Sequence, residues 1–223
     1  MDEHADPKRV VEAGYDLIGD RYRNVYLAHP VPALREEYLA LLLDRLEPGS
    51  NVLEIGAGNG IPVTRELARR HRVTGVDISG GQVERARRQV PAATFIKGDI
   101  MGLDFPVATF DAVVSFYVIL HIPRDEHREL LERVFHWIRP FGWLLVNLAA
   151  GDDPGTVYAA EGGFFGVSMY FSHFNADHNE ALVRNAGFEI VRADLREQLT
   201  WEEGGSRRRE VFLWLLAMKP AAV

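Results

Sequence analysis

The sequence predicts an α/β protein with a doubly wound, seven-stranded and mostly parallel sheet that ends in an antiparallel strand. Between residues 51 and 148, short β-branched runs alternate with amphipathic stretches, as they do in successive βαβ units. After residue 187, two apolar runs are joined by a polar loop that is too short to hold a crossover helix. These last two strands are therefore expected to be antiparallel.

Seven apolar or β-branched runs are predicted as strands, over residues 51–55, 73–77, 94–97, 110–116, 142–148, 188–194 and 211–218. Apolar residues at helical spacing predict helices over 33–46, 61–70, 80–89, 125–138 and 176–185. Ser79 is well placed to cap the third of these helices, and Gly187 follows the last one where a terminal glycine is typical. Pro62 is compatible with the first turn of a helix.

A chain of 223 residues fits one domain, and no internal repeat or low-complexity linker divides it. Within this single domain, residues 1–48 are expected to form helices that line part of a substrate pocket. Residues 151–174 are rich in glycine and aromatic residues without a clear period, which predicts an irregular, lid-like insertion.

Composition excludes several classes of function. The chain has no cysteine, which removes disulfides, thiolate metal sites and cysteine nucleophiles. A formal charge of −7 without a basic stripe argues against a nucleic-acid partner. No apolar run is long enough to span a bilayer, and the acidic start of the chain is unlike a secretory signal, so a cytoplasmic location is expected. The oligomeric state is left open.

The strongest local signal follows the first strand. An acid precedes a glycine-rich turn there, in the order Glu54, Gly56, Ala57, Gly58 and Gly60. Glycines at the end of such a strand let the backbone approach a ligand, and open α/β sheets bind ligands at this edge. The dinucleotide fingerprint requires glycine at position 61, but Ile61 stands there, which argues against an NAD-dependent oxidoreductase.

Two further acids follow the next two strands. Asp77 can accept hydrogen bonds from both hydroxyls of a ribose. Asp99 can accept from an exocyclic amine of a base, between the apolar side chains of Ile78 and Ile100. Each acid alone could instead belong to a turn, but three acids at three successive strand ends indicate a nucleotide site.

These motifs, with Phe110–Ser115 and the Arg139–Gly142 turn, resemble the class I S-adenosylmethionine-dependent methyltransferases, which have a Rossmann-like fold, over residues 52–148. The resemblance implies that S-adenosylmethionine is bound and S-adenosylhomocysteine is released. It implies that Glu54 and the glycine turn hold the methionine part, Asp77 the ribose, and Asp99 with Ile100 the adenine. Ser115 and Phe116 would lie beside the sulfonium. Phe141 departs from the pattern, because the family usually has glycine there.

Motifs typical of base-amine, glutamine and metal-dependent catechol methyltransferases are absent, which favours metal-independent transfer to a small molecule by in-line displacement. Alignment of donor and acceptor can supply much of the barrier reduction. A hydroxyl, an amine or an activated carbon remain open as the acceptor group. A protein of the same fold that binds the cofactor without methylating, as a cyclase, an aminopropyl transferase or a regulator, is the alternative.

His121, just after the fourth strand, is the candidate general base, and its alternative role is to order the following loop. As a base with an unperturbed pKa, it would make activity rise with pH near 6.5. Candidate acceptor contacts, each of which could instead be ordinary packing, are Tyr15, Tyr22, Tyr26, Met169, Tyr170 and His173.

Overall fold

The fold was analysed in a computed structural model that describes residues 6–21, 24, 34–159, 164–201 and 207–221. Nine strands are formed within these ranges: β1 Asn51–Ile55, β2 Arg72–Asp77, β3 Thr94–Lys97, β4 Phe110–Ser115, β5 Ile138–Ala149, β6 Asp153–Tyr158, β7 Met169–His173, β8 Glu189–Trp201 and β9 Arg207–Met218. The described residues also form six α-helices, which are α1 Pro7–Ile18, α2 Leu34–Leu43, α3 Val63–Leu67, α4 Gly80–Gln89, α5 His127–Trp137 and α6 Ala176–Asn185. Short 3-10 turns cover Ile100–Gly102, Ile119–His121, Arg124–Glu126 and Phe164–Gly166.

Seven strands form the main sheet in the order β3-β2-β1-β4-β5-β9-β8. Strands β1 to β5 are parallel, and β9 runs antiparallel to both β5 and β8. The predicted doubly wound sheet with its antiparallel end is therefore confirmed. The chain order reverses where β1 lies between β2 and β4, which is the point where open α/β sheets bind ligands.

Apolar side chains cover both faces of this sheet. One face carries Leu53, Val113 and Leu144 under α5 and α6, and the other carries Val52, Val114 and Leu145 under α2 and α3. With both faces buried, the sheet offers only its strand ends to a ligand. Among the helices formed by the described residues, none has the length and apolar character that spanning a bilayer requires.

Several predicted boundaries were wrong by a few residues. Helix α3 covers only Val63–Leu67, because Pro62 occupies its N-cap and Ala68 its C-cap. The region predicted as one helix over 125–138 begins with the 3-10 turn Arg124–Glu126, and Ile138 already belongs to β5. Strands β8 and β9 continue past the end of β5, since their pairing runs from Glu197↔Val211 to Trp201↔Arg207 after the last β5–β9 pair, Ala149↔Phe212. Ala33, the expected start of α2, lies outside the described residues.

The expectation of an irregular segment over 151–174 was wrong for the part that the structure describes. β6 and β7 form a separate two-stranded antiparallel sheet, in which Val157 pairs with Tyr170 and Tyr158 with Met169. Met169 and Tyr170 pack against Val11 and Ile18 of α1. Burial against α1 therefore orders a segment whose sequence shows no period.

Candidate active site

A cavity opens at the carboxyl ends of the parallel strands and is covered by α1. The sequence-predicted residues that line it are Glu54, Gly56, Ala57, Gly58, Asp77, Ile78, Asp99, Ile100, Phe116, Tyr15 and His121. Lys8 and Arg35, which the sequence analysis did not single out, line it as well. The structure thus brings the three acids and the proposed base to one cavity.

Other candidates lie elsewhere. Gly60, Ser115, Met169, Tyr170 and His173 are not among the residues that line this cavity. A Cβ at Gly60 would lie 3.0 Å from Val90, which indicates a packing role against α4. Ser115 is buried at the end of β4. Tyr22 and Tyr26 lie outside the described residues.

The turn after β1 is shaped by its glycines in two ways. The amides of Gly56 and Ala57 both donate to the carbonyl of Val76, which ties the turn to β2. Gly56 has a φ of +73°, and a Cβ there would collide with Val118. Gly58 has a φ of +53°, and a Cβ there would meet nothing within 4 Å. Gly56 is thus needed for packing, whereas Gly58 borders open space.

Asp77 connects the glycine turn to the start of α4. Its two carboxylate oxygens accept from the amides of Gly58, at 2.7 Å, and Ser79, at 2.9 Å. Burial raises the pKa of Asp77 to about 6, while the two amides oppose that shift. The Ser79 hydroxyl caps α4 by accepting from the amide of Gln82, as the sequence predicts.

Asp99 joins the cavity to α1. One oxygen accepts from the amide of Met101 at 3.0 Å, and the other pairs with the ammonium of Lys8 at 2.8 Å. Lys8 also pairs with Glu126 at 2.7 Å, and Glu12 of the same helix pairs with Lys97. Nothing in the local sequence around Lys8 signals this contact, because it depends on how α1 docks.

Glu54 is buried in the wall of the cavity, with only 5 % of its surface exposed. The Thr64 hydroxyl donates to one of its oxygens. Burial raises the pKa of Glu54 to about 8, against the opposing effects of Thr64 and Arg35. Arg35 was detectable in the sequence as the one charged residue on the buried face of α2, in line with Tyr38 and Leu42.

His121 is held in one tautomer. Its Nδ1 lies 2.8 Å from the carbonyl oxygen of Tyr170, which can only accept, so Nδ1 carries the hydrogen. Its Nε2 is then the acceptor for the Tyr15 hydroxyl at 2.9 Å. Burial lowers the pKa of His121 to about 4. This differs from the unperturbed pKa of 6.5 that the sequence analysis assumed for His121, because the ring is buried.

Met169 and Tyr170 hold the Tyr15–His121 pair in place, one by its contact with α1 and the other by its backbone carbonyl. A Cβ at Gly14 would lie 2.7 Å from the Met169 methyl carbon, so α1 and β7 are in close contact at that point. Tyr170 contributes its backbone carbonyl to His121, and His173 lies beside Gly151. Within the described ranges, no group of three or more histidine and acidic side chains is placed to hold a metal ion.

Comparison with known proteins identifies the family. A sequence profile described as a methyltransferase domain matches residues 52–142. The 27-O-demethylrifamycin SV methyltransferase of Amycolatopsis mediterranei is 32 % identical over 197 residues, which cover 78 % of this chain and 70 % of that protein. A sterol 24-C-methyltransferase of Aspergillus fumigatus is 28 % identical over 76 % of this chain, which spans about half (48 %) of that relative.

Comparison with solved structures gives the same fold assignment. The crystal structure of a Burkholderia thailandensis 1,6-didemethyltoxoflavin-N1-methyltransferase, with bound 1,6-didemethyltoxoflavin and S-adenosylhomocysteine, has a TM-score of 0.68 to this chain at 23 % identity. The match covers 99 % of this chain and 93 % of that one. From the seven-stranded sheet, the matching profile and these relatives, the chain belongs to the class I S-adenosylmethionine-dependent methyltransferases, and it is an enzyme whose cofactor is S-adenosylmethionine.

Proposed function

We propose that this enzyme methylates a hydroxyl group of a small molecule, without a metal ion, at the end of the cavity formed by Tyr15 and His121. The observation that carries the proposal is the hydrogen bond from the Tyr15 hydroxyl to Nε2 of a histidine whose tautomer is fixed. Such a pair can accept a proton from an acceptor group. The matched relatives that are named for small-molecule acceptors favour the same class of substrate.

The remaining lining residues fit the cofactor. Asp77 would accept from the ribose hydroxyls, and Asp99 from the adenine amine between Ile78 and Ile100. Glu54 and Arg35 have the charges that complement the ammonium and carboxylate of the methionine part. Phe116 would lie beside the sulfonium, where an aromatic ring suits a cation. The bound cofactor supplies the methyl group, activated on its sulfonium sulfur.

The acceptor side of the site would be built from two parts of the chain. α1 carries Tyr15 and covers the cavity, as expected for part of residues 1–48. β6 and β7 hold α1 in place rather than lining the cavity themselves. We therefore assign residues 151–174 a supporting role, and assign the recognition of the acceptor to α1.

The chain's part in the chemistry is to take one proton. When the methyl group passes from sulfur to the acceptor oxygen and S-adenosylhomocysteine is left, the hydroxyl hydrogen would move to the Tyr15 oxygen, and Tyr15 would pass its own hydrogen to Nε2 of His121. The imidazolium then returns this proton to solvent after the product leaves. Because the pKa of His121 is lowered to about 4, the base is in its accepting form throughout pH 5.5–8.

The test uses aromatic probes that are matched in shape and carry a hydroxyl, an amine or an activated ring carbon, with S-adenosylhomocysteine formation as the readout. Tyr15→Phe and His121→Ala should each lower turnover of the hydroxyl probe by roughly 10²–10⁴-fold, the usual contribution of a positioned base. The affinity for S-adenosylhomocysteine should stay within about twofold, because neither residue is assigned to the nucleotide.

Tyr158→Phe is the matched control, since it removes a hydroxyl from β6 outside the lining of the cavity. It should leave turnover unchanged. Methylation of the amine probe alone, or normal turnover in Tyr15→Phe, would show that the Tyr15–His121 pair only orders the structure. A rate that falls steeply as the pH is lowered from 8 to 6 in wild type, but not in His121→Ala, would contradict the low pKa.

A further inference from the structure

One face of α1 lies over the cavity. Lys8, Val11 and Tyr15 all line the cavity, and their spacing of three and four residues places them on the same side of the helix. Seven residues of helix rise about 10 Å, which separates Lys8 from the tyrosine that bonds to His121. The helix therefore carries a cation to a part of the cavity that is well separated from the Tyr15–His121 pair.

Lys8 lies between two acids that belong to different parts of the chain. Its ammonium is 2.8 Å from Oδ2 of Asp99, which follows β3, and 2.7 Å from Oε2 of Glu126, which precedes α5. Burial lowers the pKa of Lys8, but the hydrogen bonds and charges of the two acids outweigh burial and raise that pKa above its ordinary value. The two acids thus hold a charged ammonium in the wall of the cavity.

Lys8 and Asp99 can each make a further hydrogen bond. An ammonium has three hydrogens to donate, and the acceptors that the described residues place around Lys8 are Asp99 and Glu126. Each carboxylate oxygen can accept two hydrogen bonds, and Asp99 receives the Met101 amide on Oδ1 and the Lys8 ammonium on Oδ2. Both residues line the cavity, so they present an acceptor and a donor beside each other.

This arrangement complements one edge of adenine. The exocyclic amine of adenine is a donor, and the ring nitrogens on either side of it, N1 and N7, are acceptors. An amine beside a ring nitrogen therefore matches a carboxylate beside an ammonium. We infer that Lys8 is a specificity-determining residue for the base of the cofactor, and that it donates to a ring nitrogen next to the amine that Asp99 accepts.

The inference rests on the proposed binding of adenine at Asp99, and it does not involve the methyl acceptor or His121. It gives the base a contact with α1, in addition to its contacts with the strand ends. Because Lys8 and Tyr15 belong to the same helix, a bound base would also hold Tyr15 over the site of transfer.

The experiment is calorimetric titration with S-adenosylhomocysteine and with two analogues in which N1 or N7 of the adenine is replaced by CH. Each analogue keeps the amine and loses one ring acceptor. At least one of them should bind the wild-type enzyme roughly tenfold more weakly than S-adenosylhomocysteine. That factor is at the lower end for a hydrogen bond to a charged group, because the Lys8 side chain is 26 % exposed.

Lys8→Met removes the charge and keeps an unbranched side chain. It should bind S-adenosylhomocysteine roughly tenfold more weakly than wild type, and it should no longer discriminate against the analogue that has lost the acceptor of Lys8. Lys97→Met is the matched control, because Lys97 pairs with Glu12 of the same helix but does not line the cavity. It should keep the discrimination of the wild type.

Three results would overturn the inference. They are equal affinity of the wild type for all three ligands, undiminished discrimination in Lys8→Met, and tighter binding of S-adenosylhomocysteine by Lys8→Met, which would show competition with the amine for Asp99. The first needs only the wild-type enzyme, so the test holds even if Lys8→Met does not fold. An analogue without the amine tests Asp99 separately: its full affinity would contradict the adenine site itself, whereas an affinity loss that persists in Lys8→Met would support that site.

Discussion

At the scale of single residues, the surroundings of each glycine in the turn after β1 determine its role. Gly56 and Gly58 stand two positions apart and share a positive φ, yet one faces a packed valine and the other faces open space. The glycine pattern in the sequence predicted a ligand turn but did not distinguish these two purposes. The distinction depends on Val118, which reaches the turn only in the folded sheet.

Gly58→Val should fold but lose cofactor binding, because its side chain would project into the open space beside the turn. Strain at a left-handed position should cost roughly 1–2 kcal/mol of stability. Gly166→Val is the control for that strain, since Gly166 has a φ of +67° and also has nothing within 4 Å, but it lies outside the cavity lining. Calorimetry with S-adenosylhomocysteine and thermal melts should show equal melting temperatures and unequal binding. Normal binding by Gly58→Val would place the ligand elsewhere.

At the scale of elements, α1 is tied to the body of the enzyme on two sides. Asp16 accepts from the Ser79 hydroxyl and from the amide of Gly81 at the start of α4, next to Asp77. On its other side, α1 buries Val11 against Met169 of β7. The cover of the cavity is therefore fixed to both the cofactor side and the β6–β7 sheet.

Met169→Ala should destabilise the enzyme by about 2–5 kcal/mol, because Met169 is fully buried and its loss would leave a cavity between β7 and α1. Urea unfolding measures this change. Leu195→Ala, on a strand position that is 59 % exposed, should change stability by less than about 0.5 kcal/mol. Equal effects of the two substitutions would show that α1 does not rest on β7.

Local signals predicted the first and last residues of several elements, among them β1, β3, α4 and α6. Ser79 and Asn175, with side chains that cap α4 and α6, show why, since helix starts are encoded by neighbouring residues. The β6–β7 sheet could not be predicted, because its order comes from contact with α1. Phe141 shows the opposite case: its φ of +63° explains why glycine is usual there, and the strand continues through it regardless.

At the scale of the whole molecule, the buried ionisable groups set a dependence of stability on pH. His121 has a lowered pKa, so the unfolded chain binds its proton first, and stability is lost as the pH falls from about 6.5 toward 4. Glu54 has a raised pKa, so the folded chain keeps its proton longer, and stability is lost as the pH rises from about 4.5 toward 8. Between pH 6.5 and 8, Glu54 dominates among these two.

The melting temperature of the cofactor-free enzyme should therefore fall between pH 6.5 and 8. Glu54→Gln should remove most of that fall, because the substituted side chain does not titrate. Scanning calorimetry at three pH values across this window makes the measurement. A fall of the same size in Glu54→Gln would show that a group other than Glu54 causes it.

The close contact of Gly14 with Met169 restricts which segments of this enzyme can be replaced by those of a relative. A homologous α1 with a larger residue at this position would have to displace the Met169 side chain and would crowd the Ser168 carbonyl, since even a Cβ would lie 2.7 Å from the Met169 methyl carbon and 3.0 Å from that backbone oxygen. The two segments lie far apart along the chain, so a single recombination point between them separates the fitted pair. Chimeras that aim at a new acceptor should therefore transplant residues 7–18 and 153–173 together, leaving the strands that hold the cofactor in place.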